Sequence, residues 1–238
     1  MSASTTLTTL ASIPGLKKVA SGKVREIFEL DDHSLLFVAT DRVSAYDVIL
    51  SNGIPEKGAL LTQLSKYWFD LISSNLPDVR THLISTSVPA SIPSDTGAVL
   101  EKRSMMVRRL PLVPLESIVR GYITGSAWAE YQRSGTVHGI SMPAGLRESQ
   151  KLEKPIWTPS TKAEQGEHDE NISRDKAVEI VGESVAKRVE EASLVIYEKV
   201  GPYSTDVGVD DTDLISQGQA VRRRAWHHHR RHQIRVRP

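Results

Sequence analysis

The 238-residue sequence contains no cysteine. Disulfide bonds, thiol nucleophiles and cysteine-based zinc sites are therefore excluded. No apolar run approaches the roughly 18 residues that a membrane-spanning helix needs. The first residues lack a basic segment followed by an apolar one, so we expect no secretory signal. These absences favour a cytoplasmic globular protein without a membrane partner.

Carboxylates are also missing from the end of the chain. From Val221 onward basic residues dominate. The whole chain has a net charge of +1, so the part before Val221 is net acidic. An acidic body lacks the positive surface that nucleic acid binding requires. The sequence therefore favours small-molecule substrates and predicts no nucleic-acid partner.

Hydrophobic periodicity predicts the main elements. Alternation over Lys23–Leu30 and β-rich composition over Ser34–Thr40, with a polar turn between them, predict a β-hairpin. Apolar residues at helical spacing predict a helix over Ala59–Leu76, ended by Pro77. We expect strands over 98–112 and 116–123, and mostly loop over 130–173.

A long helix is expected after Ser173, which is placed as its N-cap, with an apolar stripe running to about Lys199. The fold class is then α+β with two lobes. Residues 1–113 form a β-rich lobe, residues 114–199 form a mixed lobe, and residues 200–238 lack either periodicity. We expect this last segment to be disordered.

Two stretches of the first lobe could contact a ligand. Gly22-Lys23 opens the hairpin, where glycine allows close approach to a phosphate and lysine adds charge. Asp41, Arg42 and Ser44 follow the second strand, a common place for ligand contacts. Taken alone, the second stretch is better explained by a turn that the aspartate caps, with a solvated arginine.

The stretch 112–126 carries an acid and an arginine two residues apart on one face of the predicted strand. Glu116 and Arg120 would share that face with Ile118. They could form an internal salt bridge, or Arg120 could bind a carboxylate or phosphate through its planar fork. Backbone N–H groups of Thr124–Ser126 could form an anion nest nearby.

The stretch 158–173 concentrates acidic side chains before the predicted helix. The helix dipole stabilises carboxylates there, which gives a structural explanation. A run this dense nevertheless repels itself unless a cation is bound, and hard oxygen ligands suit Mg²⁺ better than zinc. The candidate ligands and neighbours are Glu164, Glu167, His168, Asp169 and Glu170.

Taken in order, these stretches resemble the SAICAR synthetase (phosphoribosylaminoimidazole-succinocarboxamide synthase) family of fungal type. The resemblance runs from about Gly15 to Lys199. The segments that carry it are "GKVREIF", "ATDRVSAYDVIL", "GIPEKGALLTQLSKYWF", "LVPLESIVRGYITGS" and "TPSTKAEQGEHDENIS".

The resemblance implies an ATP- and Mg²⁺-dependent ligase of purine biosynthesis with a two-lobed fold. ATP would convert the carboxylate of carboxyaminoimidazole ribonucleotide to an acyl phosphate, which the amine of L-aspartate attacks. Such a site needs cations for the polyphosphate, carboxylates for the metal, and hydrogen-bond donors for the substrates.

The resemblance also implies a set of site residues, divided between the two lobes. It places Lys23, Arg25 and Arg108 at the nucleotide. It assigns substrate binding to Asp41, Arg42, Ser44, Lys57, Arg120 and Ser126. It assigns catalysis to Glu116, Arg120, Glu164, Glu167, His168 and Asp169, and metal binding to Glu164, Glu167 and Asp169.

Two other functions stay open on the sequence. The first is a non-catalytic nucleotide-binding protein on the same scaffold. The second is a nucleic-acid-binding protein that uses the basic end, although the body lacks a basic surface interleaved with aromatic residues.

The last residues suggest a shifted reading frame. The family continues after its long helix with a strand close to "GIIIADTKFEFG", which is absent here. Codons for Trp226 and the residues after it, read one nucleotide later, can encode that strand in order. We hypothesise that residues 200–217 translate an intron and that the following residues are an exon in the wrong frame.

Overall fold

The computed structural model describes residues 6–45, 48–162 and 170–201. The chain divides into two compact units, Met1–Ser74 with Arg80–Pro111, and Asn75–Val79 with Leu112–Pro238. The lobe boundary between residues 113 and 114 stays a prediction. The binding roles assigned to the two lobes stay predictions.

A five-stranded antiparallel sheet forms the centre of the first unit. Its strands are β1 (Lys17–Ser21), β2 (Arg25–Glu29), β3 (Ser34–Ala39), β6 (Leu83–Ser85) and β7 (Ser104–Arg108). Their order in the sheet is β1-β2-β3-β7-β6. The predicted hairpin is confirmed, because β2 and β3 pair with Ile27 opposite Phe37.

Both faces of this sheet bury apolar side chains. On one face Leu36 and Val38 pack with Ile92 and Leu100. On the other face Phe37 and Met105 pack with neighbours that include Phe69, a residue of the helix α1 (Lys57–Asn75). The predicted helix over 59–76 is therefore confirmed, and its role is to cover the sheet.

The strand predicted over 98–112 is wrong at its beginning. Residues 98–100 form the end of the helix α2 (Ser94–Leu100), and only β7 is extended. A run of three apolar residues does not distinguish a strand from one helical turn. Leu100 is fully buried at the end of this helix.

A second hairpin of the first unit exposes apolar side chains. Strands β4 (Arg42–Ala45) and β5 (Val48–Gly53) pair with each other as a two-stranded sheet. Val48, Ile49 and Leu50 are 62%, 47% and 47% exposed. The alternation expected for a half-buried strand is absent from β5.

The described residues of the second unit form three two-stranded antiparallel sheets and three helices. The pairs are β8 (Leu115–Glu116) with β13 (Ser160–Thr161), β9 (Val119–Tyr122) with β12 (Lys151–Trp157), and β10 (Thr136–Val137) with β11 (Ile140–Ser141). The helices are α3 (Gly125–Ser134), α4 (Arg174–Val181) and α5 (Glu183–Val200).

Two predictions for this unit are wrong. The expected strand 116–123 is broken after Glu116, because β8 and β9 pair with different partners. The expected loop 130–173 contains the seven-residue strand β12, which includes Pro155 and whose burial does not alternate cleanly. Because the sequence of β12 lacks regular alternation, it gives no strand signal.

The helix predicted after Ser173 is interrupted. Ser173 is the N-cap of α4, and its side chain accepts from the N–H of Lys176, as predicted. Gly182, whose φ is +82°, is the C-cap of α4 and the N-cap of α5 and so interrupts the predicted helix. The apolar stripe continues across the break, so periodicity alone does not reveal it.

The helices in the described part include none long and apolar enough to cross a membrane. The segment 202–238, including the basic end and most of the proposed intron, lies outside the described residues.

Candidate functional site

The turn between β1 and β2 contains the predicted Gly22-Lys23 pair and is held by Arg42. The Arg42 guanidinium donates to the carbonyl oxygens of Gly22 (2.8 Å) and Lys23 (2.9 Å). It also pairs with Glu26 at 2.6 Å. In this unit Arg42 therefore fixes the shape of the candidate phosphate-binding turn.

Asp41 lies in the interior. Its carboxylate accepts from the N–H groups of Leu7 (2.8 Å) and Gly58 (2.9 Å) and from Arg103 (2.9 Å). Burial opposes the charge, but these hydrogen bonds outweigh it and hold the pKa of Asp41 below its usual value. The carboxylate ties α1 to the sheet, and its burial does not favour substrate contact.

Lys57, the first residue of α1, lies close enough to Asp41 and to Arg25 of β2 for their charges to act on it. Burial lowers the pKa of Lys57, the charge of Asp41 opposes this effect, and the charge of Arg25 adds to it. The Arg25 guanidinium also lies 5.3 Å from the centre of the Phe37 ring. A cation in the first turn of a helix suits an anion, because both the charge and the N–H groups of that turn attract it.

Arg108 lies at the other end of the sheet from Arg25. Arg25 pairs with Ala39 and Arg108 with Ser34, the two ends of β3. Five strand steps span roughly 17 Å. The Arg108 side chain donates to the Thr81 carbonyl at 3.0 Å. The sheet thus does not bring these two predicted nucleotide-binding residues together.

Ser44 is half-buried in β4, opposite Ile49 in β5. Like the other predicted substrate-binding residues, its role in binding stays a prediction.

In the second unit, Glu116 forms an ion pair with Lys162. Glu116 is only 8% exposed, and the pairing of β8 with β13 places it opposite Ser160. The predicted alternatives for Glu116 were a bridge to Arg120 or contact with a ligand. The structure shows Lys162 as its partner, a residue that the sequence analysis missed although it precedes the acidic run.

Arg120 and Ser126 are brought together, as the resemblance implies. Arg120 donates from Nε to Thr158 Oγ1 (3.1 Å) and from Nη2 to Ser126 Oγ (3.3 Å). Thr124 is the N-cap of α3, and Ser126, the last residue of the expected nest Thr124–Ser126, lies in the first turn of this helix. These bonds orient the guanidinium plane beside the helix N-terminus, an arrangement suited to phosphate or carboxylate.

His138, which the sequence analysis missed, is buried near Arg120. Its Nδ1 lies 3.0 Å from the carbonyl oxygen of Pro159 and 3.2 Å from that of Ile172. Burial and then the charge of Arg120 lower the pKa of His138. The "HG" pair between two short β-like runs was an available signal for a tight turn.

A cavity of about 610 Å³ lies beside this histidine. It is lined mainly by residues of α3, of the His138 turn and of the segment before α4. Its polar lining includes Ser126, Glu130, Arg133, His138, Asn171 and Ser173.

The predicted acidic site residues Glu164, Glu167, His168 and Asp169 lie outside the described residues. Within the described ranges no group of three or more metal-ligating side chains could hold an ion. The backbone on either side of this segment is paired, with Ile172 N–H donating to Pro159 (3.1 Å) and Thr161 N–H to Glu170 (2.9 Å). The predicted magnesium site is therefore untested.

Known proteins are similar to this chain over most of its length. A family model described as SAICAR synthetase matches residues 18–214, which extends beyond Lys199. The phosphoribosylaminoimidazole-succinocarboxamide synthase of Saccharomyces cerevisiae is 53% identical over 203 residues, covering 82% of this chain and 65% of that protein. The chain thus spans just under two thirds of this curated relative.

Solved structures agree with this relationship. One described as SAICAR synthase from Saccharomyces cerevisiae complexed with SAICAR has a TM-score of 0.72 at 48% identity, covering 83% of this chain and 67% of that one. Another, a SAICAR synthetase (Type-2) in complex with ADP, has a TM-score of 0.61 at 25% identity, covering 79% and 69%. With the α+β fold and the motif order in agreement, the chain belongs to the SAICAR synthetase family.

Proposed function

We propose that the protein is an ATP-dependent ligase joining L-aspartate to the carboxylate of carboxyaminoimidazole ribonucleotide. The observation that carries this proposal is the orientation of Arg120 by Thr158 and Ser126 at the beginning of α3. A relative with this fold is described as complexed with SAICAR, and another as complexed with ADP. Cytoplasmic localisation is part of the proposal, since purine biosynthesis uses soluble substrates.

Arg120 would bind an acidic group of the ribonucleotide. Two hydroxyl groups fix the orientation of this guanidinium, so its planar fork points in a defined direction. Bidentate binding of a phosphate or carboxylate then costs less conformational entropy than binding by a mobile side chain. The free N–H groups at the beginning of α3 add to the attraction.

Lys57 and Arg25 would bind the polyphosphate of ATP. Burial already disfavours the charge of Lys57, and the nearby Arg25 disfavours it further. A bound polyanion would offset both the burial of the Lys57 charge and its repulsion by Arg25. Removing these two unfavourable effects of the ligand-free protein would contribute to the binding free energy. Lys23, on the turn that Arg42 holds, would extend this cationic surface.

Magnesium is proposed as the metal, with Glu164, Glu167 and Asp169 as ligands by resemblance. A bound divalent cation would offset phosphate charge during transfer. Glu116, held by Lys162, and His168 complete the proposed catalytic set.

ADP release tests the ligase proposal. The expected result is release from ATP only when both L-aspartate and the ribonucleotide are present, with a matched reaction lacking each substrate in turn. ATP binding without such turnover would support the alternative, a non-catalytic nucleotide-binding protein.

A further inference from the structure

The segment 7–10 precedes the first strand and is hydrogen-bonded to the residues that follow β3. The Leu7 N–H donates to Asp41 Oδ2 (2.8 Å), and the Asp41 N–H donates to the Leu7 carbonyl (2.7 Å). Gly53, the last residue of β5, allows the segment to lie close, because a Cβ atom there would be 2.8 Å from a methyl carbon of Thr8. These contacts hold in place a segment that belongs to no described helix or strand.

Two carbonyl oxygens of this segment accept hydrogen bonds from charged side chains. The Thr8 carbonyl accepts from Arg42 (3.1 Å), and the Leu10 carbonyl accepts from Lys18 (2.7 Å). Glu26 lies between these cations, 2.6 Å from Arg42 Nη1 and 2.9 Å from Lys18 Nζ, and is only 1% exposed. Lys18, Glu26 and Arg42, which we call the charged ring, are thus closed by the segment. A buried ion pair is stable only when its remaining hydrogen bonds are satisfied, so the segment helps to hold these charges in place.

The Arg42 guanidinium uses most of its donors inside the first unit. Nε donates to the Lys23 carbonyl (2.9 Å), Nη2 to the Gly22 carbonyl (2.8 Å), and Nη1 to Thr8 and Glu26. These bonds leave a single N–H group of the guanidinium, whereas bidentate binding of an anion needs two. This geometry favours an indirect role for Arg42, in which it shapes the Gly22-Lys23 turn instead of contacting a substrate.

We propose that the segment 7–10 is a positioning element for nucleotide binding, which acts through the charged ring on the Gly22-Lys23 turn. That this turn binds the phosphates of ATP rests on the proposed function. A turn already held in its binding conformation avoids the entropy cost of becoming ordered when the ligand binds. Loosening the segment or the ring therefore lowers the affinity for ATP, although neither the segment nor the ring contacts the nucleotide.

Lys18→Met in the full chain tests the charged ring. It removes the donor to the Leu10 carbonyl and one partner of Glu26, and it should weaken ATP binding about fivefold to tenfold in calorimetry. Lys17→Met is the matched control, because it removes the same charge from the exposed neighbouring position of β1. The control should change ATP affinity by less than about twofold. Equal effects of the two substitutions would reduce the result to lost charge and refute the positioning role.

Leu7→Pro loosens the segment without changing a charge, because proline lacks the N–H that donates to Asp41. It should also weaken ATP binding about fivefold. Backbone ¹H–¹⁵N NMR separates this effect from a general loss of stability. In both ligand-free variants the amide signals of Gly22 and Lys23 should shift, while those of residues 30–33, at the opposite end of β2, should not. Unshifted Gly22 and Lys23 signals in both variants would overturn the inference.

ADP release, measured on the same preparations, keeps the two proposals apart. Wild-type ATP affinity in both Lys18→Met and Leu7→Pro would refute the positioning role and leave the ligase proposal standing. Weakened ATP binding in these variants, without substrate-dependent ADP release from the wild type, would support the positioning role and refute the ligase. A wild-type protein that does not bind ATP would refute both.

Discussion

Asp41 concentrates three hydrogen bonds on one buried carboxylate. The donors come from Leu7, from Gly58 in the first turn of α1, and from Arg103 before β7. One side chain therefore connects three distant parts of the first unit. The consequence is that this residue contributes to stability whatever its part in binding.

Asp41→Asn should destabilise the protein by about 3–5 kcal/mol, because Arg103 would be left as a buried charge without its partner. Urea denaturation followed by circular dichroism measures the change. Asp70→Asn, which removes the exposed pair with Lys66, is the matched control and should cost under about 1 kcal/mol. Equal effects of the two substitutions would contradict the role of Asp41.

Stability should decrease in acid. Burial opposes the charge of Glu26, but the ion pairs with Lys18 and Arg42 outweigh it, so the pKa of Glu26 is lowered, as is that of Asp41. Since each folded pKa lies below the unfolded one, the unfolded state takes up protons first as the pH falls. The stabilisation is complete above about pH 5 and is lost through pH 4 and below.

The urea midpoint, measured from pH 7 to pH 3, should therefore fall in the acid range, and less steeply for Asp41→Asn. A midpoint that stays constant down to pH 3 would show that these carboxylates do not contribute.

Arg120→Lys keeps the charge but loses the planar fork. It should impair use of the ribonucleotide at least about tenfold while leaving ATP affinity nearly unchanged. Substrate-dependence of ADP release and calorimetry with ATP measure the two effects. Normal use of both substrates would make Arg120 a structural residue bound to Thr158 and Ser126.

At the scale of elements, α5 and β9 approach each other closely. A Cβ atom at Gly121 in β9 would lie 2.0 Å from the hydroxyl oxygen and 2.8 Å from Cζ of Tyr197 in α5. Only glycine permits this helix to lie against this strand with Tyr197 in its observed position.

Gly121→Ala should destabilise the protein by about 1–3 kcal/mol through this overlap. In the Tyr197→Ala background the same substitution should cost much less, and a double-mutant cycle measures the coupling. Gly97→Ala in α2 is a control of opposite sign, since the nearest atom is 3.7 Å away and a helical alanine stabilises. Additive effects of Gly121→Ala and Tyr197→Ala would contradict the contact.

Elements with regular patterns were predictable, and those built on irregular pairing were not. The β2–β3 hairpin and α1 follow from alternation and helical spacing, because each buries one face. Strand β12 could not be predicted, since it is partly exposed, contains Pro155 and pairs with β9 through an irregular register.

The candidate site residues likewise include some that the sequence predicted and some that it could not. The resemblance assigns Arg120 and Ser126 to the same substrate, and the structure places the two side chains in hydrogen-bond contact. The distance between Arg25 and Arg108 depends on strand register, which the sequence does not show. His138 was missed because its significance comes from carbonyl groups 21 and 34 residues away in sequence.

For the whole molecule, the frame hypothesis predicts that residues 200–238 do not support catalysis. The shifted frame would supply acidic and basic side chains, whereas the ionisable side chains of the present sequence after Val221 are all arginine or histidine. A version joining Lys199 to the reframed sequence and its continuation should release ADP at least about tenfold faster, as one lost electrostatic contact costs several kcal/mol. Sequencing the spliced transcript across codon 199 is the accompanying measurement, and comparable turnover from both versions would refute the hypothesis.

The β4–β5 hairpin has a practical consequence for handling the protein. Val48, Ile49 and Leu50 present consecutive apolar side chains on a two-stranded ribbon. Ribbons of this kind carry unpaired backbone groups along their edges, which favour edge-to-edge association. Concentrated samples should therefore scatter light more as the salt concentration rises, because screening removes charge repulsion while apolar attraction persists. A lysine introduced at Val48 would place a charge on this strand and so disfavour that association, which would make millimolar NMR samples practical.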